Sequence, residues 1–597
     1  PVKYAGKAEF PAGATIHHRD DLDAVQRELR EVEGVSVLLY DQTCAAEKRR
    51  RRKRGTFPDP DRRVIINELV CEGCGDCGVQ SNCVSVQPVE TEFGRKRRID
   101  QSSCNKDFSC VRGFCPSFVT VHGAKLRKAA GSAASADPLE GVPEPKPFEL
   151  GKAGWSAILD GVGGTGVVTI GAILGMAAHL ESKAAGLIDM AGLAQKGGAV
   201  FTHIRIAAEP EDIHAIRVSA GKADLILGCD LVVSGNKKVL SAVRENHTLF
   251  VANTAEVMPG DFARSADFSL PTERLKKAIR AAAGEGRAHF VDATKTATAL
   301  FGSSLGANMF MLGVAYQRGG LPLAAEAIEK AIELNGQAAA MNVAAFRWGR
   351  RGGHDPAFVE KRAGEPKEQF ANARMAATLD DVIGRRADFL RAYQNAAYAR
   401  RFTDRIERLR RAENAASRGS TAVTEAVARS LFKLMAIKDE YEVARLYTDG
   451  SFARQLASTF ESYDRLEFHL APPILGRKDA DGRPRKSRFG PWMMPGFRVL
   501  AALRALRGTV LDVLGHTAER REERRQLREC EADLDRIEAG LTADRLAAAA
   551  ALASVPMMIR GYGHVRRAAA QKAEAERRRL IDRFEDPAAG LRLQAAE

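Results

Sequence analysis

The stretch Trp155-Ser-Ala-Ile-Leu-Asp-Gly-Val-Gly-Gly-Thr-Gly166 decides how the middle of this chain folds. Its mainly apolar beginning predicts a strand, its glycines predict a tight turn, and the apolar run Val167–Leu180 that follows predicts a helix. A GxGxxG motif carries meaning only between a strand and a helix, and this one lies there. The unpaired amides at such a helix start attract phosphate, because the helix dipole is positive at that end.

The glycine turn allows three interpretations. The first is contact with a phosphate or a coenzyme, for which the candidate residues are Gly161, Gly163, Gly164 and Gly166. The second is close packing of the helix on the strand. The third is binding of NAD or FAD, which also requires an acidic residue about 20 positions further on. Asp189 could serve, but the second glycine loop at residues 191–198 is not part of a dinucleotide fold.

The surrounding sequence places this turn in an α/β domain, which we predict over residues 153–350. Apolar strand-like runs alternate there with helical patterns. The runs are Trp155–Leu159, Gly186–Asp189, Phe201–Ile206, Ala223–Leu227, Thr248–Val251 and His289–Asp292. This alternation predicts a mainly parallel, Rossmann-like sheet covered by helices.

The length of 597 residues allows several domains, and we predict a multidomain α/β plus α protein. The predicted segments are a domain remnant with a basic linker at 1–60, a ferredoxin-type iron–sulfur module at 61–128, a linker at 129–152, the α/β domain at 153–350, a connector at 351–384 and a mostly helical domain at 385–597. The Pro- and Gly-rich stretch Pro472–Phe497 interrupts the last helices. We interpret it as a connector rather than a docking surface.

Seven of the ten cysteines lie within residues 71–115. They are Cys71, Cys74, Cys77, Cys83, Cys104, Cys110 and Cys115. Disulfide scaffolds belong to small secreted domains, whereas this chain is large and shows no secretion signal at its start. We therefore expect a reducing compartment, the cytoplasm, and a metal or cluster site.

The cysteine spacing favours iron–sulfur clusters over zinc. Three-residue steps from Cys71 to Cys77 suit a loop around a cube of iron and sulfide, and Cys115, followed by proline, supplies the fourth ligand of that cluster. Zinc usually takes two separated pairs of ligands, which this spacing fits less well. Cys83, Cys104 and Cys110 are one ligand short of a second cubane. Asp107 as the fourth ligand, a three-iron cluster and the absence of a second cluster all remain open.

The formal net charge of +14 raises the question of nucleic-acid binding. Lys48–Arg54 is a run of seven cations, which we interpret as a solvated connector. Contact with an acidic partner surface, with a cofactor phosphate or with nucleic acid are the alternatives. The other excess cations are interleaved with acids along predicted helices such as Arg400–Arg411, so a nucleic-acid-binding protein with a structural metal is not favoured.

The N-terminal residues predict the end of an α/β domain. Asp20–Glu33 predicts a helix and Val35–Tyr40 a buried strand, and one helix with one strand makes no domain. We expect the chain, which starts with Pro1, to begin partway through a longer product. No uncharged apolar run approaches about 18 residues, so we expect no membrane span.

Four stretches together resemble the C-terminal half of the single-chain indolepyruvate ferredoxin oxidoreductases, which belong to the thiamine-dependent 2-oxoacid:ferredoxin oxidoreductases. These are Cys71–Pro116, Gly161–Gly171, Gly192–Arg205 and, resembling the end of the thiamine diphosphate domain, Tyr40–Arg49. Residues 153–350 are similar to the gamma domain of that family, and residues from about 385 look like its helical C-terminal region of no established role.

The resemblance implies oxidative decarboxylation of an aryl 2-oxoacid such as indolepyruvate, with electrons leaving through iron–sulfur clusters to ferredoxin. Coenzyme A would be a further substrate. The Gly-Asp-Gly…Asn motif that holds magnesium and thiamine diphosphate is absent, so these cofactors are expected on a missing N-terminal half or a partner subunit. The complete enzyme is expected to be a homo-oligomer.

This chain would then supply electron transfer and one wall of the active site. The resemblance makes Gln195, Lys196 and His203 weak candidates for that wall. An NAD(P)H- or flavin-linked iron–sulfur reductase is the alternative function.

Overall fold

The computed structural model describes residues 10–127, 137–146, 148–163, 165–191, 198–258, 262, 265–364, 375–472, 477–478 and 484–586. The chain forms two compact units, Pro1–Asp59 and Pro60–Glu597. In the described part of the chain, no helix combines the length and the apolar character that crossing a bilayer requires.

The first unit contains helices α1 (Leu22–Arg30) and α2 (Ala45–Lys53). Helix α1 confirms the predicted N-terminal helix, whereas the predicted buried strand Val35–Tyr40 is wrong. Those residues have no strand partner among the described residues, and Val35 is 95% exposed. A strand requires a neighbour for its backbone groups, and this short unit supplies none.

The basic run, which we interpreted as a solvated connector, is helical. It lies in α2, where Arg50 and Arg51 reach back to the carboxylate of Glu47 at 2.7 and 3.0 Å. Pairs one helical turn apart offset part of the repulsion among neighbouring cations. The charge pattern alone did not predict this helix.

The second unit begins with the cysteine segment, by which we mean residues 61–127. Its elements are β1 (Arg62–Ile66), α3 (Asp76–Ser81), β2 (Val86–Val89), β3 (Lys96–Ile99), β4 (Phe118–His122) and β5 (Lys125–Leu126). Strands β1 and β4 pair antiparallel, and β2 and β3 form a separate antiparallel pair. The cysteines lie in the connections and in α3, so the strands act as the frame of the site.

The α/β domain follows. Its strands are β6 (Trp155–Val162), β7 (Ala184–Ala191), β8 (Ala199–Ala207), β9 (Leu225–Gly228), β10 (Leu249–Asn253) and β11 (Ala288–Val291). Its helices are α4 (Val167–Leu180), α5 (Leu231–Ser234), α6 (Lys237–Leu240), α7 (Thr272–Ala283), α8 (Ala293–Phe301), α9 (Ala307–Gln317), α10 (Ala325–Asn335), α11 (Ala339–His354) and α12 (Pro356–Ala363).

The sheet of this domain confirms the predicted strands. Its described strands run in the order β11-β10-β9-β6-β8-β7, and β6, β9, β10 and β11 are parallel. Strand β8 is antiparallel to both of its neighbours, so the sheet is mainly rather than wholly parallel. Trp155 is completely buried at the start of β6 and donates its indole N–H to the carbonyl oxygen of Gly320 at 3.0 Å.

The C-terminal region, by which we mean residues 379–586, is mostly helical, as predicted. Its helices are α13 (Leu379–Tyr393), α14 (Ala396–Ala416), α15 (Ala422–Met435), α16 (Glu440–Thr448), α17 (Ser451–Thr459), α18 (Met493–Ala502), α19 (Ala518–Gly540), α20 (Leu546–Ser554) and α21 (Gly563–Glu585). Its strands are β12 (Phe460–Ser462), β13 (Arg465–Leu470), β14 (Arg477–Lys478), β15 (Pro484–Arg485) and β16 (Ser487–Phe489).

Two of these strands complete the sheet of the cysteine segment. The order is β1-β4-β13-β16, with β13 antiparallel to β4. Val119 and Val121 of β4 share one buried apolar cluster with Tyr447, Phe468 and Phe497. The stretch interpreted as a connector therefore contains β16, a strand of this sheet. The cysteine segment and the C-terminal region are intertwined although hundreds of residues separate them.

Candidate functional site

The structure brings the seven clustered cysteines together in two groups. Cys71, Cys74, Cys77 and Cys115 line one enclosed cavity, together with Ile66, Phe118 and Arg97. Their thiols interact electrostatically with one another. The thiols of Cys83, Cys104 and Cys110 also interact electrostatically with one another, and they form the second group. This is the grouping that the spacing of the cysteines suggested.

Short local folds orient several of these sulfur atoms. The amide N–H groups of Gly73 and Lys106 point at the sulfur atoms of Cys71 and Cys104, at N···S distances of 3.3 and 3.4 Å. The sulfur of Cys115 lies 3.0 Å from the hydroxyl oxygen of Ser117. Hydrogen bonds to the sulfur ligands are one of the means by which proteins tune iron–sulfur clusters.

A glycine permits the first of these turns. Gly73 has a φ of +67°, and a β-carbon at this position would lie 2.1 Å from the carbonyl oxygen of Arg95. Another residue would therefore suffer both backbone strain and a clash with the main chain at the start of β3. The CxxC loop can lie this close to β3 only because residue 73 is glycine.

The buried thiols are strongly disposed to remain protonated when nothing is bound. Burial raises the pKa of Cys74 and Cys77, and the thiols of Cys115 and Cys71 raise it further. In the second group burial raises the pKa of Cys110 to about 12, with Cys104 and Cys83 adding to the effect. Thiolates are the ligands that metals bind, so occupation of this site requires a cation able to displace the protons.

Positive charges surround the first group. Lys96 is buried, and Lys438 forms an ion pair with Glu72 beside Cys71. Burial alone would raise the pKa of Glu72, but Lys438, Lys96 and Lys433 lower it to about 2. Burial lowers the pKa of Lys96 to about 7, and Lys438 contributes to that fall. The groups around this cavity therefore include several basic side chains and two carboxylates, those of Glu72 and Asp76.

Arg97 adds a further donor. Its side chain is 1% exposed, and its Nε and Nη1 have no hydrogen-bond partner among the described residues. Its Nη2 donates to the carbonyl oxygen of Ala266 at 3.0 Å, and the thiols of Cys77 and Cys71 act on its charge. Buried N–H groups without partners are costly, and sulfur ligands carrying negative charge would satisfy them.

Within the described residues, no three His, Cys, Asp or Glu side chains are arranged to hold a single metal ion. The donor set nevertheless fits an anionic iron–sulfur cluster, because it combines four soft thiols and the unpaired N–H groups of a buried arginine around one cavity. Asp107, a candidate fourth ligand for the second group, is exposed and accepts a hydrogen bond from the hydroxyl of Ser109.

The glycine turn has the predicted strand–turn–helix context. Gly161 ends its strand so close to α4 that a β-carbon there would lie 2.7 Å from Val167 Cγ2. Gly166 precedes α4 with a φ of +95°, and Gly163 donates its N–H to the carbonyl oxygen of Gly198 at 2.8 Å. Gly164 lies outside the described residues. These contacts favour the packing interpretation for Gly161 and leave the phosphate interpretation of the turn as a prediction.

Asp189 does not lie where dinucleotide binding requires an acidic residue. Strand β8 lies between β6 and β7, so Asp189 on β7 is two strands away from the glycine turn. Its carboxylate accepts a hydrogen bond from the Thr202 hydroxyl at 2.5 Å. In dinucleotide folds the acidic residue follows the strand next to the turn. The NAD(P)H- or flavin-linked alternative is therefore not favoured.

Of the three candidates for the active-site wall, the structure describes only His203. Gln195 and Lys196 lie outside the described residues. His203 lies in β8, is 5% exposed, and accepts a hydrogen bond on Nδ1 from the amide of Val218 at 3.1 Å. Burial lowers its pKa, and Arg217 lowers it further. This arrangement gives His203 a structural position inside the sheet.

Sequence reasoning missed the charged groups of the cavity. Lys438 and Lys486 lie more than 300 positions after the cysteines they approach. Arg97 is one of three consecutive basic residues in β3, and the sequence does not distinguish it from Lys96 and Arg98. No local sequence pattern predicts such contacts, since they depend on the tertiary fold.

Two family descriptions match the chain. Residues 156–352 match the family described as pyruvate ferredoxin/flavodoxin oxidoreductase, and residues 379–579 match a family of unknown function (DUF6537). Together with the relatives below, these matches confirm the resemblance found in the sequence, and the relatives are oxidoreductase subunits.

The relatives include three proteins named indolepyruvate oxidoreductase subunit IorB. The one from Methanothermobacter thermautotrophicus is 29% identical over 191 residues, which are 32% of this chain and 92% of that protein. Those from Thermococcus kodakarensis and Pyrococcus horikoshii are each 25% identical, covering 30% and 33% of this chain and 86% and 94% of theirs. The relatives thus correspond to one third of this chain.

Among solved structures, the pyruvate oxidoreductase subunit PORC from Thermotoga maritima is 22% identical, covers 34% of this chain and 96% of its own, and has a TM-score of 0.25. The gamma subunit of a keto/oxoacid ferredoxin oxidoreductase from Geobacter sulfurreducens is 19% identical, covers 34% of this chain and 98% of its own, and has a TM-score of 0.24.

Proposed function

We propose that this chain, whose residues 156–352 match the pyruvate ferredoxin/flavodoxin oxidoreductase family, is the electron-transferring part of a 2-oxoacid:ferredoxin oxidoreductase of the indolepyruvate type. The observation that carries the proposal is the enclosed cavity lined by Cys71, Cys74, Cys77 and Cys115 in a chain that also contains this family's domain. The named relatives support the choice of indolepyruvate as the substrate class.

In this proposal the two groups of thiols hold two iron–sulfur clusters. Cys71, Cys74, Cys77 and Cys115 hold a [4Fe–4S] cluster, and Cys83, Cys104 and Cys110 hold a second, which needs a ligand besides these cysteines or lacks one iron. Such clusters accept and release single electrons. The protein's part is to orient the thiols, to donate N–H groups to sulfur and to keep water out of the cavity.

The α/β domain lies directly against this site. The carbonyl oxygens of Ala266 and Phe268 accept hydrogen bonds from Arg97 and Arg95 at 3.0 and 2.7 Å. The guanidinium of Arg97 also stacks over the ring of Phe262 at 4.2 Å. A short segment of the α/β domain therefore covers the first group of thiols, which supports electron flow between the wall formed by this domain and the cluster.

Thiamine diphosphate and magnesium are assigned to another half or subunit, because their binding motif is absent from the sequence. Ferredoxin is the proposed electron acceptor, and an aryl 2-oxoacid the proposed substrate. The chain alone is then inactive, and activity requires the thiamine-binding part.

The test is anaerobic purification followed by iron and acid-labile sulfide analysis, and then an assay of ferredoxin or methyl viologen reduction by indolepyruvate. We expect iron and sulfide in similar amounts, and reduction only after the thiamine-binding half, thiamine diphosphate and magnesium are added. Stoichiometric zinc without labile sulfide would refute the cluster. A folded, cluster-loaded pair that does not turn over would refute the family function.

A further inference from the structure

We propose that the C-terminal region is a working part of the electron-transfer site: it fixes the two loops that carry Cys71, Cys74, Cys77 and Cys115, and it supplies positive charge that favours reduction of their cluster. The proposal rests on the proposed function, since it presupposes a cluster in this cavity. It gives a role to residues 379–579, which match a family of unknown function.

Side chains of the C-terminal region bind the backbone of the first ligand loop. Gln455 and Tyr562 donate to the carbonyl oxygens of Ile66 and Val70 at 2.9 and 2.6 Å. Lys438 donates to the carbonyl oxygen of Cys71 itself at 3.0 Å. Side chains of the C-terminal region thus hold three carbonyl groups in and just before this loop, those of Ile66, Val70 and Cys71.

The second ligand loop is held in the same way. Lys486 donates to the carbonyl oxygens of Gly113 and Cys115 at 2.5 and 3.3 Å. Tyr447 donates its hydroxyl to the carbonyl oxygen of Pro116 at 2.7 Å. Buried carbonyl groups require such partners, and a loop whose acceptors are satisfied from outside keeps its conformation only while those donors are present.

The C-terminal region also covers the cavity. A β-carbon on Gly561 would lie 3.3 Å from the β-carbon of Cys74, so the turn before α21 rests on that cysteine. Beside it, the Phe114 ring packs against the His564 ring in a tilted arrangement with 4.9 Å between centroids. This cover excludes water, and charges act more strongly on one another where water is excluded.

The charges that the region brings are positive. Lys438 forms an ion pair with Glu72, and Lys486 lies against the loop that carries Cys115. The acidic groups that face them are Glu72, which pairs with Lys438, and Asp76, which accepts the amide N–H of Phe114 at 2.6 Å. Reduction adds one electron to a cluster, so each unneutralised cation close to it favours the reduced form.

The experiment uses the full chain, purified anaerobically, with redox titration of each cluster followed by EPR. We expect Lys438→Met and Lys486→Met each to lower the equilibrium constant for reduction of the first cluster about tenfold or more, which is a potential about 59 mV more negative for one electron. Lys438→Arg keeps the charge and should leave the constant near the wild-type value.

A matched control is available in the α/β domain. Lys183 is also partly buried and also donates to one carboxylate and one carbonyl oxygen, those of Glu181 and Pro322 at 2.6 and 2.7 Å. Lys183→Met should leave both clusters unchanged. The double variant Glu72→Gln with Lys438→Met removes both members of the ion pair, so its potential should return towards the wild-type value, which a purely structural role of Lys438 would not produce.

The outcomes separate the two proposals. A wild-type chain without iron and sulfide refutes the proposed function. A loaded wild type whose Lys438→Met and Lys486→Met variants keep full iron and an unchanged potential overturns the inference alone. Loss of iron from Lys438→Met with retained helix content, reversed by Lys438→Arg, supports the holding role. If Lys438→Met does not fold, the iron content and the cluster potential of Lys486→Met test the inference instead.

Discussion

Replacing Arg386 of α13 tests how much the C-terminal region stabilises the cysteine segment. Its guanidinium is 2% exposed and pairs with Glu92, which is 1% exposed and lies in the turn between β2 and β3. It also donates to the carbonyl oxygen of Glu92 at 2.8 Å, and the Glu92 carboxylate accepts the amide N–H of Ala376 at 2.6 Å. Arg386→Met would leave a buried carboxylate without its main partner.

Removing one member of a buried ion pair costs about 3–5 kcal/mol. The lower end applies here, because Arg385 lies 3.9 Å from the same carboxylate and is about one third exposed, so it compensates in part. At about 1.4 kcal/mol per factor of ten, a loss of 3 kcal/mol corresponds to a roughly 150-fold larger equilibrium constant for local opening.

The assay is native-state amide hydrogen exchange in β2 and β3, which reports local opening without requiring the whole chain to unfold in one step. Arg347→Met is the control, because Arg347 pairs with Glu329 at the surface at 2.7 Å and is 44% exposed. That control should change exchange by less than about fivefold, or 1 kcal/mol. Exchange in Arg386→Met no faster than in the control would refute the reasoning, as would a failure of Glu92→Gln to restore stability in the double variant.

Three further predictions concern the same site. Cys74→Ser should remove about four irons and the EPR signal of the first cluster only, whereas Cys104→Ser should change only the second signal; loss of every signal from Cys104→Ser would disprove two separate groups. Gly73→Ala should reduce iron content at least severalfold, because φ is +67° and Arg95 blocks the β-carbon, while Gly94→Ala at φ +85° and with open space around it should retain iron. Burial raises the pKa of Glu92, but Arg386 and the Ala376 amide lower it overall below 4.5, so stability from this pair is present above pH 4.5 and is lost as pH falls through the folded-state pKa; a stability difference between wild type and Glu92→Gln that is the same above pH 4.5 and below the folded-state pKa would contradict this.

Local patterns predicted the strands of the α/β domain well. Runs such as Trp155–Leu159 are mainly apolar, short and bounded by a glycine and a charged residue, and these properties depend only on neighbours in sequence. The antiparallel direction of β8 was not predicted, because direction depends on pairing rather than on composition. The grouping of the cysteines was also suggested by spacing alone, since Cys71, Cys74 and Cys77 occupy one loop and short helix.

The sequence predictions failed where a segment's structural partners are distant in sequence. Val35–Tyr40 has the composition of a buried strand, but a strand forms only beside another one. The stretch Pro472–Phe497 contains the turn residues typical of a connector, yet Ser487–Phe489 pairs with β13. Lys438 and Lys486 reach the cysteine loops across 367 and 371 positions, a separation at which sequence pattern carries no information about contact.

The pairing of β4 with β13 sets an order of events during synthesis. Thr120 and His469, whose side chains are hydrogen-bonded across these strands, are 349 positions apart. At about 5–20 residues per second a ribosome needs roughly 20–70 s to make the intervening chain. During that interval β4 has an open edge and the thiols lack their cover, so nascent chains are vulnerable to oxidation and to edge-to-edge aggregation. Cluster insertion is therefore expected to follow release of the finished chain, and truncated products ending before β13 should be found in inclusion bodies rather than as iron-loaded fragments.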